Sequence, residues 1–248
     1  MLPPQQPLPI RPWALAWPRM AGLLLIVSGW LPLTAADDFQ ALVVGGWQVR
    51  LDQGCQAGAP ADRAAFDAVL AEQIARLGRL PEPAHESLRQ AVRIYVSSGT
   101  HRRFGAQHHP SPAWLAQNGY PAEFAGHVEI CDWREFTGLV RSQPFCLLHE
   151  MAHAFHSLTP AADAPIRAAY DHAKSAGLYR QVTRGHGQAQ VEAYALTNHR
   201  EYFSELSEAY FGENDFAPYD RAELAAYDPE GLRMLVQVWG AQAGSANP

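Results

Sequence analysis

A chain of 248 residues, 48% hydrophobic and 18% charged, is long enough for one domain with a substantial core. Its formal charge of −6, with no basic run and no aromatic stacking platform, argues against a nucleic-acid binder.

The N-terminus reads as an address. Arg11 and Arg19 precede an apolar run over residues 20–33, followed by Thr34-Ala35-Ala36 and then Asp37-Asp38. That is the order of a charged region, an apolar region and a small-residue cleavage site. The expectation is a signal peptide over residues 1–36, cleaved near Ala36, and an exported protein, periplasmic or secreted. The apolar run is shorter than the roughly 20 residues a spanning helix needs, so no membrane span is expected in the mature chain. An uncleaved N-terminal anchor is the alternative, and Met20 is an alternative start. Cleavage removes two arginines and no acid, which takes the net charge from −6 to −8. Three cysteines remain: Cys55, Cys131 and Cys146. An oxidising compartment permits one disulfide among them. Cys131–Cys146 is the preferred pair, with three free buried thiols as the alternative.

In the exported part, residues 41–44 and 47–51 read as strands around Gly45-Gly46, a hairpin. Residues 61–80 carry Phe66, Val69, Leu70, Ile74 and Leu77 at helical spacing. Residues 93–96 read as a strand, and 97–126 as a loop-rich region. Its His101, His108 and His109 are taken as solvated histidines without a site role. Residues 126–131 form a short extended run, a candidate sheet edge for holding an extended substrate by strand addition, with an internal strand of no substrate role as the alternative.

Residues 146–156 (Cys-Leu-Leu-His-Glu-Met-Ala-His-Ala-Phe-His) contain H-E-x-x-H. On a helix, four residues bring His149 and His153 to one side a turn apart, the spacing that presents two imidazoles to a zinc ion. Glu150 stands about 100° round from His149, placed to take a proton from a metal-activated water. His156 lies about 10.5 Å along the axis from His149, too far to share the ion, and is given a packing or supporting role. The alternative is a core helix whose histidines bond to backbone.

Residues 165–178 read as another helix and 184–187 as a glycine-bearing loop. Residues 199–212 form a strong helix that ends at glycine. It stacks Glu201, Glu205 and Glu208 at i, i+4 and i+7 among Tyr202, Phe203, Leu206, Ala209, Tyr210 and Phe211. Carboxylates on a buried helix need a counter-charge, and zinc with its histidines supplies one. By position alone either Glu201 or Glu205 reaches the ion. Two helices, 221–227 and 229–239, complete the chain.

The run Tyr194-Ala195-Leu196-Thr197-Asn198-His199-Arg200-Glu201-Tyr202-Phe203-Ser204-Glu205 resembles the segment of the anthrax lethal factor catalytic domain that carries its third zinc ligand. The secreted Pro-Pro endopeptidases have a related arrangement. In that family a tyrosine stands seven residues before the ligand glutamate, as Tyr194 stands before Glu201; Ser204 replaces the usual alanine. The resemblance covers residues 145–212 and no more. It implies a gluzincin-type zinc metallopeptidase with one Zn2+ on His149, His153 and Glu201. Glu150 is then the general base, Tyr194 the hydroxyl that stabilises the oxyanion, and Glu205 the partner of a ligand histidine's other nitrogen. The expected fold is an α+β, zincin-like domain over residues 37–248: a small mixed sheet, an active-site helix and a helical C-terminal part. Its partner is a peptide or protein substrate whose identity lies in loops that do not match. A non-catalytic zinc-binding envelope or secreted protein is the competing reading.

Overall fold

The computed structural model describes residues 39–240 except 103, 186 and 188. The expected signal peptide, its cleavage near Ala36 and the alternative start at Met20 lie outside the described residues.

Strands β1 (Phe39–Val44) and β2 (Trp47–Asp52) form the expected hairpin, with Val44 opposite Trp47. A two-residue turn of this hand needs positive φ at both positions, and Gly45 and Gly46 supply +55° and +84°. Helix α1 (Pro60–Leu77) follows and buries Phe66, Leu70, Gln73, Ile74 and Leu77 along one stripe. Helix α2 (Glu82–Ala91) was not anticipated. Its Pro81 is the N-cap and Pro83 stands in the first turn, where a missing N–H costs nothing.

Strand β3 (Ile94–Val96) runs parallel to β2. The region expected to be loop contains β4 (Ala106–His108) and α3 (Pro112–Gln117), and β5 (Val128–Ile130) comes next. The sheet order is β1-β2-β3-β5-β4, with β2, β3 and β5 parallel and β1 and β4 antiparallel to their neighbours. This corrects the expected substrate edge. Strand β5 is interior, flanked by β3 and β4, and it is buried along its length. The edge beside the motif helix is β4.

The rest is helical: α4 (Trp133–Ser142), α5 (Cys146–Leu158), α6 (Asp163–Ser175), then a small hairpin of β6 (Val182–Thr183) and β7 (Gln190–Val191). Helices α7 (His199–Phe211), α8 (Arg221–Tyr227) and α9 (Pro229–Gly240) close the chain. The class is α+β with a small mixed sheet. Among the described residues no helix is long and apolar enough to cross a membrane.

Helix α5 packs against α7, α1 and β4. Its apolar residues Leu147, Leu148, Met151, Ala152, Ala154 and Phe155 are all buried. No side chain of its own caps it. Instead buried Gln73 of α1 donates to Pro144 O at 2.7 Å and accepts from Leu147 N at 3.4 Å, serving an otherwise unpaired donor of the first turn. From the other side Trp239 of α9 stacks on Phe155 (ring centroids 4.2 Å apart) and Phe203 (5.3 Å). The α5–α7 pair is thus clamped at both helices by one aromatic.

The preferred Cys131–Cys146 disulfide is not formed; all three cysteines are buried free thiols. Helix α4 lies between the two positions in the chain. Cys131 ends at the sheet, where its N–H meets Gly105 O, while Cys146 opens α5 with its sulfur 3.8 Å from Gln73 Oε1. Burial raises both thiol pKa values, as expected for packing cysteines without reactivity.

Candidate metal centre

The two halves of the predicted site meet. His149 and His153 project from α5 towards Glu201 in the first turn of α7. Asn198 fixes that turn, its side-chain oxygen accepting from Arg200 N (2.8 Å) and Glu201 N (3.1 Å). His149 Nε2 lies 3.1 Å from Glu201 Oε2, His153 Nε2 lies 3.0 Å from the same oxygen, and the two Nε2 atoms are 3.1 Å apart. The result is a nearly equilateral triangle of donor atoms. Ligands about 2.0–2.1 Å from a tetrahedral zinc stand roughly 3.3–3.4 Å from one another, so the triangle fits that ion with small movement.

Protons satisfy the same atoms poorly. His149 Nδ1 donates to Glu208 Oε1 at 2.7 Å, which points the other ring nitrogen at Glu201 and His153. If Nε2 also donated, His149 would be an imidazolium with little access to water. Burial works against that charge, but the hydrogen bonds to Glu201 and Glu208 outweigh it and hold the pKa well above the ordinary imidazole value. A divalent cation serves all three atoms while leaving both rings neutral.

Glu208, not Glu205, supports His149. Glu205 Oε1 stands 3.9 Å from His149 Nδ1, beyond hydrogen-bond range, and neither of its oxygens has a partner among the described residues. Helical phase favours this without settling it. Seven residues return to within about 20° of the starting direction and four overshoot by about 40°, so Glu208 shares the line of Glu201 more closely. The signal was in the i, i+4, i+7 stripe, but the crossing of α5 and α7 decides which carboxylate is used.

Glu150 is half-buried beside the triangle, and its Oε2 accepts from the backbone N–H of His108 at 2.7 Å. Burial raises its pKa; His149 and His153 oppose this and Glu201 adds to it. The carboxylate is therefore a stronger base than a solvated one. The contact comes from β4, in the stretch expected to be loop, and no sequence spacing announced it. His109 is not solvated either: it is buried with Nε2 2.9 Å from Glu129 Oε2 on β5. Glu129 also accepts from Ser97 Oγ (2.6 Å) and Gln107 Nε2 (3.0 Å), so a buried network ties the edge strand to the sheet.

Tyr194 opens a short 3-10 turn over Tyr194–Leu196, its ring centroid 6.5 Å from that of His149. Burial, followed by the Glu201 carboxylate, pushes its pKa up to about 12. The phenol keeps its proton at neutral pH and can donate it in a hydrogen bond. His156 is outside this group and bonds instead to Asp163.

No protein-family profile, no characterised protein and no solved structure matches the chain. The resemblance over residues 145–212 thus rests on its motif residues alone.

Proposed function

We propose that the chain is a zinc-dependent metallopeptidase of the gluzincin type, with a zincin-like domain, acting on peptide or protein substrates outside the cytoplasm. One observation carries the reading. His149 Nε2, His153 Nε2 and Glu201 Oε2 converge to within 3.1 Å, with Glu150 half-buried alongside.

In this reading His149, His153 and Glu201 hold one Zn2+. When bound, the ion supplies Lewis acidity, acidifying a water and polarising a peptide carbonyl. Glu150, held by the His108 N–H, accepts the proton of the attacking water and passes it to the leaving amine. Tyr194 donates a hydrogen bond to the developing oxyanion. Glu208 fixes the His149 tautomer. Strand β4, at the sheet edge next to α5, offers its free side to an extended peptide.

The test is peptide-library cleavage by purified protein, before and after metal removal. Cleavage that stops on chelation, returns with about one equivalent of Zn2+ and is lost in Glu150→Gln supports the reading. Protein that takes up zinc tightly yet cleaves nothing in a broad library turns it towards the non-catalytic alternative.

A further inference from the structure

Helices α5 and α7 carry a second histidine–carboxylate cluster. His156 Nε2 and His199 Nε2 each lie 3.1 Å from Asp163 Oδ1, and the three donor atoms fall within 4.8 Å of one another. From this convergence we propose that His156, Asp163 and His199 form a second metal site, for a borderline divalent ion such as Zn2+.

Three element ends meet here. His156 sits in the last turn of α5, Asp163 opens α6, and His199 opens α7 beside the Asn198 cap. Two imidazoles and a carboxylate are a donor set for zinc, nickel or copper rather than for magnesium or calcium. The nitrogen–oxygen edges of 3.1 Å are close to those a tetrahedral ion requires. An open cavity of about 430 Å³ borders the cluster, lined by Ser157, Pro160, Arg167 and Arg200 besides His156 and Asp163. It gives an ion a way in and leaves room for water as a further ligand. His156 is two turns from His149, about 10.5 Å along the helix, so one ion cannot occupy both clusters.

The surroundings make this the weaker site. Arg167 Nε holds the other oxygen of Asp163 at 2.6 Å, and the Asp163 side chain is 38% exposed. The far nitrogen of His156, Nδ1, is buried with no partner among the described residues, whereas that of His149 has Glu208. Lost support of that kind weakens metal affinity by about 10–100-fold.

Chelator-stripped protein titrated with Zn2+ alone, followed by NMR of the imidazole nitrogens, tests the proposal. The first equivalent should shift His149 and His153. A second, bound about 10–100-fold more weakly, should shift His156 and His199. The double variant His156→Gln, His199→Gln should lose only the second equivalent, and Glu201→Ala should lose only the first. The proposal is overturned if His156 and His199 in the unaltered protein do not respond at saturating zinc, leaving a hydrogen-bonded tie without an ion. It is also overturned if the folded double variant still takes up two equivalents. A response at His156 and His199 with none at His149 would support the second site and reject the catalytic one.

Discussion

Helices α5 and α7 contribute to both clusters a few residues apart, and α6 adds Asp163 to the second. At one end His149, His153 and Glu201 face each other with side chains 11%, 14% and 16% exposed; at the other, His156 and His199 share Asp163, which is 38% exposed. The nitrogen–oxygen edges of the two clusters are similar, 3.0–3.1 Å in the first and 3.1 Å in the second. What differs is what stands behind them: Glu208 on His149 against an unpartnered His156 Nδ1, and the half-buried Glu150 carboxylate beside one triangle against Arg167 and Arg200 beside the other. Donor geometry alone therefore does not separate the proposed catalytic cluster from the proposed second metal site. The distinction lies in the groups that orient the ligands and in those placed to act on a substrate.

The largest effect that would break this comparison is at Glu150, which has no counterpart in the second cluster. Glu150→Gln should retain zinc and fold while turnover falls about 10²–10⁴-fold, the usual contribution of a positioned general base. Undiminished cleavage by the variant, with zinc content confirmed, would remove the base from the mechanism. Tyr194→Phe should follow, lowering kcat about 10²-fold with zinc binding unchanged, the scale for one lost oxyanion donor. If KM rose and kcat held, Tyr194 would be binding the substrate rather than the oxyanion.

A middle-sized effect separates the two carboxylates behind His149. Glu208→Ala should weaken zinc about 10–100-fold, read by competition with a chelator, because the imidazole loses its orienting acceptor. Glu205→Gln should leave zinc affinity unchanged, since Glu205 makes no hydrogen bond to His149. An unpartnered buried polar group costs about 1–3 kcal/mol and an amide is as unpartnered there as the carboxyl, so it is Glu205→Leu, which removes the polar group, that should melt no lower than the native protein. A weaker grip on zinc in Glu205→Gln than in Glu208→Ala would restore the role first assigned to Glu205.

These outcomes bear on what could be read in advance. His149, His153 and Glu150 were legible because helical spacing alone fixes their directions, and Glu201 because a motif marked it. The Glu205–Glu208 choice depends on how α7 crosses α5, and no spacing within one helix contains that angle. Strand β4 is three residues long among histidines and prolines, too short for an alternating pattern, so the edge was given to β5. The hairpin and the last two helices were legible because Gly45-Gly46 and the short apolar repeats are local signals. The disulfide was misread because a count of cysteines says nothing of the distance between them.

The smallest effect sharpens the comparison from the weaker side. Arg167 pairs with Asp163 through a 2.6 Å bond to Oδ2, leaving Oδ1 to the two imidazoles. An ion at the second cluster would share that carboxylate with a guanidinium and be repelled by it. The Arg167 side chain is 56% exposed, so water screens most of the repulsion. A unit charge and a divalent ion about 5 Å apart at a dielectric near that of water interact by about 1.7 kcal/mol, roughly a fifteenfold change in affinity before salt screening. Arg167→Gln should therefore tighten the second zinc equivalent by up to about fifteenfold and leave the first unmoved. The gain should shrink as salt is raised, because the charges are near the surface. Weaker second binding in the variant would mean that Arg167 positions Asp163 more than it repels the ion, so that the pair belongs to the site's supporting structure.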